Sequence, residues 1–451
     1  MKLKTILAAA LAAGFTSSAM AQTTEITVTG ATAFRQATMQ AIYDAYTSVG
    51  NLGTSFNVAH DFVGDNLSQL IASNRAIFSG NFPGILGTTV IRTSFNGSTE
   101  GMNAIAGNNN PSFLTTVSLG SPGAVIKGST TSNTETLRPK FSFSDVYQST
   151  SPVDNEVLEP VGDSKVGVVT FAMTAGRQAT NYSRFTNVTM QHTKALWNAG
   201  FLPMSVFTGN TNDTVRVYAT GRNDGSGTRS AYLTEWQYGV ANTVKQYVAT
   251  FDGISSGAIT KMVLVPIGSN LTNTSVIFRT GRSSDASTLW GNNVVGNGGY
   301  SSSSALRGLL TNTSASVQIH NGSSGGFQTA RTIVPLTWLS TADAQNVLAA
   351  GGAILAFNGE KVTPLASTNP ANYQSSGFSQ EDFFKIARGA YSAWSYQHLY
   401  YSGSLSANEQ AWYDAMKTTW IPQGLQTTAN GLRLQDMGVQ RVDDGFPITA
   451  L

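Results

Sequence analysis

The chain of 451 residues contains no cysteine and only four histidines. The absence of cysteine excludes disulfide bonds, thiolate metal sites, cysteine nucleophiles and a lipid attached to cysteine. No two histidines are close enough in sequence to share a helical turn, which argues against a histidine metal centre or a histidine-dependent catalytic dyad. These histidines are His60, His192, His320 and His398. We therefore expect no metal ion, no cofactor and no catalytic residues.

Charged residues are also scarce, at 12% of the chain against ~25% in an average soluble domain. Ser, Thr, Asn and Gln must therefore supply most of the polar surface, as is typical of exported proteins. Lys2 and Lys4 are the only charged residues among the first 21, so the rest of the chain carries 25 basic and 25 acidic residues. This balance excludes the electrostatic footprint of a general nucleic-acid or membrane-surface binder. Any charged ligand must be held locally.

The N-terminus has the pattern of a secretory signal peptide. Lys2 and Lys4 are followed by an apolar stretch at residues 6–15 and by the small-residue sequence Ala19-Met20-Ala21. The apolar stretch is shorter than the ~20 residues that a membrane-spanning helix needs. We expect cleavage after Ala21, a periplasmic or secreted protein, and no direct membrane anchor.

The remaining chain predicts an α/β fold with more than one lobe. A single hydrophobic core seldom serves more than ~250–300 residues. Residues 25–29, 89–95 and 214–220 each read as a β-strand that runs through a turn into a helix. In each case Gly, Ser or Thr stands where the helix begins.

Two long polar stretches, residues 107–140 and 279–304, show little periodicity and are predicted to be surface insertions. Residues 381–400 differ, because they are rich in aromatic and aliphatic side chains. We therefore expect the C-terminal part of the chain to pack against a core.

Residues Arg222 to Thr228, with the sequence RNDGSGT, carry the strongest signal for a binding site. The glycines allow consecutive N–H groups to converge, the hydroxyls add donors, and the following helix presents its positive end. Arg222 offers a charged planar group that matches a tetrahedral oxyanion, and Asp224 is placed to hold Arg222 by a salt link. The segment predicts an anion cradle, although a flexible Gly-Ser-Gly turn is an equally simple interpretation.

This segment resembles the Arg-x-Asp-Gly-Ser-Gly-Thr element of periplasmic phosphate-binding proteins, the substrate-capturing subunits of phosphate ABC importers. Other segments resemble motifs of that family in the same order along the chain. They are TGATAF at residues 29–34, GSTEG at 97–101, FSFSD at 141–145 and GAYSAW at 389–394.

The resemblance implies a type II periplasmic binding protein with a ligand cleft between two lobes. Lobe I would comprise residues 22–168 and 383–451, and lobe II residues 169–382. The implied ligand is inorganic phosphate or a similar oxyanion, with Asp145 as the one acceptor for the proton of hydrogen phosphate. The implied ligand-binding residues are Thr32, Phe34, Ser98, Asp145, Arg222, Asp224, Ser226, Gly227 and Thr228.

The sequence departs from the family pattern at Ala33, Arg35 and Glu100. Ala33 is an additional residue, Arg35 stands in place of proline, and Glu100 stands in place of glycine. A carboxylate at Glu100 suits the N-terminus of a helix. We expect it to face solvent, although contact with Arg35 or the cleft is open. Arg229 either adds a second positive charge to the cradle or lies on the helix surface.

The sequence thus favours a monomeric exported solute-binding protein, not an enzyme, that serves an ABC permease in the inner membrane. Two other functions remain open. An envelope interaction protein could have kept the scaffold and lost phosphate binding. A secreted phosphoester hydrolase could use Asp145 or Ser226.

Overall fold

The computed structural model describes residues 23–50, 53, 56–119, 126–129, 133–154, 156–251, 259–265, 299–300, 303–320, 327–366, 368–428 and 431–451. The predicted signal peptide and most of the predicted insertion at 279–304 lie outside these ranges. Among the described residues, no helix combines the length and apolar character needed to cross a bilayer.

Helices and strands alternate along the chain, as the sequence predicts for an α/β fold. The described helices are α1 (Arg35–Val49), α2 (Leu67–Ala72), α3 (Ser98–Ile105), α4 (Met190–Ala199), α5 (Ser205–Thr208), α6 (Gly227–Glu235), α7 (Ser303–Thr311), α8 (Thr341–Ala349), α9 (Gln380–Ala387), α10 (Ala407–Ala415) and α11 (Ile421–Thr427).

The described strands include the three that the sequence predicts, with small shifts at their ends. They are β1 (Thr24–Gly30), β2 (Phe56–His60), β3 (Arg75–Gly80), β4 (Thr89–Ser94), β5 (Ser112–Leu114), β6 (Thr134–Thr136), β7 (Phe141–Ser144), β8 (Lys165–Ala175), β9 (Asn187–Val188), β10 (Phe201–Pro203), β11 (Arg216–Ala219), β12 (Gln246–Phe251), β13 (Ile259–Val265), β14 (Val317–His320), β15 (Gln328–Arg331), β16 (Ile333–Ser340), β17 (Ala353–Phe357), β18 (Trp394–Tyr401), β19 (Val439–Gln440) and β20 (Thr449–Ala450).

One large sheet connects two parts of the molecule. Its strand order is β10-β11-β16-β8-β18-β7-β1-β4-β3-β2. Strand β8 pairs with β18 through its first residues and with β16 through its last ones. We call β1–β4 and β7 with their helices the first half, and β10, β11 and β16 with α6, α7 and α8 the second half. The predicted lobe border at residue 168 falls inside β8, and the lobe borders stay a prediction.

Two aromatic clusters fill the interior, one within the first half and one that spans both halves. In the first half, Phe34, Tyr46, Phe141 and Trp412 belong to one buried cluster. Trp197, Trp236 and Trp338 anchor a separate cluster that includes residues of the second half. Each such side chain contributes ~1.5–3 kcal/mol on full burial, so these clusters fix the positions of the strands that carry the site.

The C-terminal part of the chain is integrated into the fold, as predicted from residues 381–400. Phe383, Ile386 and Trp394 are buried, and β18 lies between β7 and β8 in the sheet. Helix α11 packs so closely on α1 that a Cβ added at Gly424 would lie 2.7 Å from the Ala37 carbonyl oxygen.

The predicted insertion at residues 107–140 is only in part a polar surface stretch. Strands β5 and β6 pair within it, and Phe113 and Leu114 are fully buried. Glu135 on β6 forms an ion pair with Arg92 on β4. The pairing of two short strands supplies an order that the polar composition does not reveal.

A C-terminal segment, residues 438–446, ties the two halves together. Arg441 forms a salt bridge of 2.5 Å to Glu235 at the end of α6. Asp444 Oδ2 accepts hydrogen bonds from the Tyr147 N–H at 2.7 Å and the Thr150 hydroxyl at 2.6 Å. Burial raises the pKa of Asp444 to about 7, although the bonds from Thr150 and Tyr147 act in the opposite direction.

Asp444 should make the free energy of unfolding depend on pH. Between pH ~4 and ~7 the folded chain retains a proton on Asp444 that the unfolded chain releases, so stability falls as pH rises through this range. The free energy of unfolding of Asp444→Asn minus that of the parent should therefore be ~2–4 kcal/mol larger at pH 8 than at pH 4. Urea unfolding at both pH values measures the difference, and Asp443→Asn is the matched control. If the stability difference between Asp444→Asn and the parent is the same at both pH values, the pKa of Asp444 is not raised.

Candidate functional site

The sheet brings the two predicted turns of the first half to one place. Strand β1 pairs in parallel with β4 and with β7, so the carboxyl ends of all three meet at one edge. The Gly97 N–H donates to the Gly30 carbonyl at 2.9 Å, and the Ala31 N–H donates to the Phe143 carbonyl at 2.9 Å. The turns after β1, β4 and β7 therefore lie side by side.

Close packing of these turns requires glycine at two positions. Gly30 has a φ of +113°, and an added Cβ would lie 2.0 Å from the Phe143 carbonyl oxygen. An added Cβ at Gly101 would lie 2.5 Å from the Gly30 Cα. Any larger residue would push α3 away from the end of β1.

The RNDGSGT segment of the second half meets the same edge. It follows β11, and α6 begins at Gly227. A Cβ added at Gly227 would lie 2.2 Å from Ser98 Oγ, and the Glu100 N–H donates to the Gly225 carbonyl at 3.1 Å. The N-termini of α3 and α6 thus face each other across the contact between the halves.

Asp145 lies at the centre of this contact and is 2% exposed. Its own N–H donates to Ser98 Oγ at 3.0 Å, and the Thr228 hydroxyl donates to Asp145 Oδ2 at 3.4 Å. No hydrogen bond from the described residues reaches Asp145 Oδ1, although this atom is buried. The site therefore holds an acceptor oxygen that can take one more proton donor.

Burial raises the pKa of Asp145 to about 6, while Ser98, Arg222 and Thr228 act in the opposite direction. The carboxyl group is therefore mostly ionised at neutral pH. Its carbonyl oxygen accepts a hydrogen bond of 2.6 Å from the Ser395 hydroxyl on β18, which fixes the backbone of Asp145.

Arg222 is fully buried and points toward the first half. Its Nη1 lies 3.5 Å from Thr32 Oγ1 and 2.7 Å from Ser303 Oγ, and its Nε donates to the Tyr300 carbonyl at 3.1 Å. Burial lowers the pKa of Arg222, while the charges of Asp343 and Asp145 oppose this shift. The site thus combines one buried cation and one buried carboxyl group with several hydroxyl and amide donors.

The other predicted residues occupy different positions around this centre. Ser226 is buried, and its hydroxyl accepts from the Arg229 N–H at 3.4 Å as the N-cap of α6. Thr32 is half-buried beside Arg222. The ring of Phe34 lies in the core of the first half beside Phe143, so only its backbone lies near the turn.

Asp224 does not hold Arg222 as the sequence analysis predicted. Asp224 is exposed, whereas Arg222 is buried and forms no ion pair with Asp224 in the described structure. The tight turn through Gly225 and Ser226 directs the Asp224 side chain outward. Arg229 is also buried, and its guanidinium donates to the Arg222 carbonyl at 3.2 Å. Arg229 therefore supports the turn and does not lie on the helix surface.

The expectation that Glu100 faces solvent is wrong. Its side chain is half-buried against Gly225 and accepts a hydrogen bond from Asn109. Burial and the nearby charge of Asp224 raise the pKa of Glu100. Arg35 donates to Asn74. Glu100 thus lies at the rim of the contact between the halves, because α3 starts directly beneath the Gly225 turn.

Sequence reasoning missed Tyr300, Ser303 and Ser395 as residues of the site. Ser395 directly follows the C-terminal motif at residues 389–394 and is not part of it. Tyr300 and Ser303 lie in the stretch interpreted as a surface insertion, yet Tyr300 is fully buried. Tyr300 is one of two aromatic residues, with Trp290, in this Gly- and Ser-rich stretch, and nothing in the sequence separates it from its surroundings more clearly.

In the described part of the chain, no three His, Asp or Glu side chains form a group that could hold a metal ion. No family model matches the sequence, and no curated protein matches it.

Several solved structures have similar coordinates and low sequence identity to this chain. A protein from Clostridium perfringens, assigned as a phosphate ABC transporter substrate-binding protein and solved with bound phosphate, is 9% identical with a TM-score of 0.41, covering 91% of this chain and 98% of that one. An ABC-type phosphate transport receptor from Vibrio cholerae is 11% identical with a TM-score of 0.39, covering 89% and 97%. PstS from Borrelia burgdorferi is 10% identical with a TM-score of 0.33, covering 89% and 96%.

Proposed function

We propose that this protein is an exported solute-binding protein that captures inorganic phosphate between its two halves. The observation that carries the proposal is the buried Asp145, which is hydrogen-bonded with Ser98 and Thr228 and feels the charge of the buried Arg222. Hydrogen phosphate carries a proton that Asp145 Oδ1 can accept, whereas sulfate at neutral pH carries none. Sulfate would leave the carboxylate facing a second buried anion with no hydrogen bond between them.

Local groups supply the binding energy in this neutral protein. The helices α3 and α6 direct N–H groups and the positive ends of their dipoles at the site, and Arg222 supplies a full charge. Each charge-assisted hydrogen bond is worth ~1.5–3 kcal/mol net, so four of them suffice for micromolar binding. Fixed dipoles thus replace the net charge that the sequence lacks.

Entry of the ligand requires the halves to separate. Ser98 and Gly227 touch across the contact, and the Gly225 carbonyl accepts from the Glu100 N–H. Strands β8 and β18, which run between the halves, are the elements that would bend. We propose that phosphate enters an open form and that closure buries it.

An ABC permease of the inner membrane is the partner that this proposal implies, with export through the predicted signal peptide and action as a monomer. We favour binding over phosphoester hydrolysis because Ser226 is used as the N-cap of α6. An envelope interaction protein that kept this scaffold and lost phosphate binding is the second candidate, because Glu100 adds a carboxylate at the rim of the site.

Isothermal titration of the mature chain with phosphate tests the proposal. We expect saturable one-to-one binding with a Kd of ~10 μM or lower and at least ~100-fold weaker binding of sulfate at pH 8. The absence of heat with phosphate, sulfate and arsenate would favour the interaction protein. Release of p-nitrophenol from p-nitrophenyl phosphate would favour the hydrolase.

Gly227→Ala should weaken phosphate binding at least ~10-fold, because overpacking a tight contact costs ~1–3 kcal/mol. The new Cβ would lie 2.2 Å from Ser98 Oγ and 3.2 Å from Asp145 Cβ, so it opposes closure. The same titration measures the effect. Ser230→Ala, further along the same helix, is the control. Unchanged affinity in Gly227→Ala would mean that phosphate is not enclosed by this contact.

A further inference from the structure

The side chain of Arg222 in the proposed site needs other groups to hold it in place. It is fully buried, and Asp224 is exposed to solvent. A long side chain with many rotamers aims at a ligand only when other groups hold it. The groups that hold Arg222 must therefore come from outside the RNDGSGT segment.

A single segment of the second half contacts two different nitrogens of the guanidinium. The Tyr300 carbonyl accepts from Arg222 Nε at 3.1 Å, and Ser303 Oγ accepts from Arg222 Nη1 at 2.7 Å. Two contacts at two points of a planar group fix both its position and its rotation. Ser303 is the first residue of α7 and is 7% exposed, so this contact is shielded from water.

The Tyr300 backbone is itself held on several sides. Its N–H donates to the Gly221 carbonyl at 2.9 Å, and its carbonyl also accepts from the Asn223 N–H at 3.1 Å. Its hydroxyl accepts from the Ala249 N–H on β12 at 2.8 Å. A Cβ added at Gly299 would lie 2.5 Å from the Arg222 carbonyl oxygen. Tyr300 is therefore a rigid support beside the turn that carries Arg222.

We propose that Ser303 and the Tyr300 carbonyl are positioning groups that aim the Arg222 guanidinium at the anion, the task that the sequence pattern assigns to Asp224. Asp343 in the first turn of α8 is partly buried, and its negative charge acts on Arg222. Its carboxylate accepts from Ser340 Oγ at 3.0 Å and forms an ion pair with Arg307 on α7 at 3.3 Å. Helices α7 and α8 thus form a wall of the site that the family motifs do not include.

This inference rests on the proposed function only for the identity of the anion. The orientation of Arg222 can be measured without any ligand, through the Nε–H resonance of its side chain in ¹⁵N-labelled protein. An Nε–H that donates to a buried carbonyl exchanges slowly with water. The absence of the resonance from Arg222→Lys assigns it.

The test compares Ser303→Ala with Ser303→Thr, which keeps the hydroxyl, and with Thr311→Ala, which removes a hydroxyl from the other end of α7. We expect at least ~10-fold faster Nε–H exchange and ~10-fold weaker phosphate binding in Ser303→Ala alone. Ser303→Thr and Thr311→Ala should match the parent in both measurements.

Equal exchange rates in Ser303→Ala and the parent would overturn the inference. Faster Nε–H exchange in both Ser303→Ala and Ser303→Thr would also overturn it. The change would then result from altered packing and not from loss of the hydroxyl. If the parent protein binds no phosphate, the proposed function fails, and the exchange rates alone decide whether Ser303 positions Arg222.

Discussion

Arg222→Ala should weaken phosphate binding at least ~30-fold, equivalent to ~2 kcal/mol or more. The substitution removes the positive charge that Arg222 brings to the site, so a bound dianion beside Asp145 must rely mainly on dipoles. It also removes a charge that lowers the pKa of Asp145. Titration with phosphate at pH 8 measures the loss.

Two variants define what the Arg222 result means. Arg222→Lys keeps the charge but loses the planar group, so we expect an affinity between those of the parent and Arg222→Ala. Arg216→Ala removes an arginine from β11, where Arg216 packs over the Phe201 ring at 4.3 Å, and should bind phosphate normally. If Arg222→Ala titrates like its parent, Arg222 does not contact the ligand.

Asp145→Asn should lose its selectivity for phosphate over sulfate. An amide offers an N–H to a fully ionised anion, so sulfate should bind at least ~100-fold more tightly than it binds the parent at pH 8. Phosphate should bind more weakly because its proton loses a charged acceptor. Competition titrations with both anions measure the selectivity, and Asp444→Asn is a control at another buried aspartate.

In the parent protein, a fall in pH should likewise strengthen sulfate binding. The pKa of Asp145 is about 6, so the carboxyl group is ionised above this value and protonated below it. Protonation converts an acceptor into a donor, so sulfate binding should strengthen by up to ~10-fold per pH unit as the pH falls from 8 toward 6, and should level off below pH 6. Sulfate affinity in Asp145→Asn should not follow this profile. A parent protein whose sulfate affinity is constant from pH 8 to pH 5 would contradict the role of Asp145.

The sequence alone was sufficient to predict the strands and turns that build the site. Residues 25–29, 89–95 and 214–220 are strands in the structure, with ends that shift by a few residues. Alternation of side chains and glycine at the turns are local signals, so they can be read from short windows. The motif order then predicted that Ser98, Asp145, Arg222 and Thr228 belong to one site. In the structure Asp145 is hydrogen-bonded with Ser98 and Thr228, and the charge of Arg222 acts on Asp145.

The contacts that hold these residues could not be predicted in the same way. Asp224 is two residues from Arg222, yet Arg222 is buried and Asp224 is exposed. Ser303 is 81 residues away and becomes a partner only because α7 packs beside β11 and β16. The position of Glu100 depends likewise on where the second half meets α3. Such contacts follow from tertiary packing, which no short window contains.

The most direct test locates the anion itself. Arsenate has the shape and the proton of hydrogen phosphate, and arsenic scatters anomalously at its absorption edge. Crystals of the mature chain grown with arsenate should give one strong anomalous peak, at a position that puts arsenate oxygens within hydrogen-bond distance of Asp145 Oδ1, Arg222 and the Thr228 hydroxyl. An anomalous peak elsewhere on the protein, with no arsenate at Asp145, Arg222 and Thr228, would contradict the proposed site.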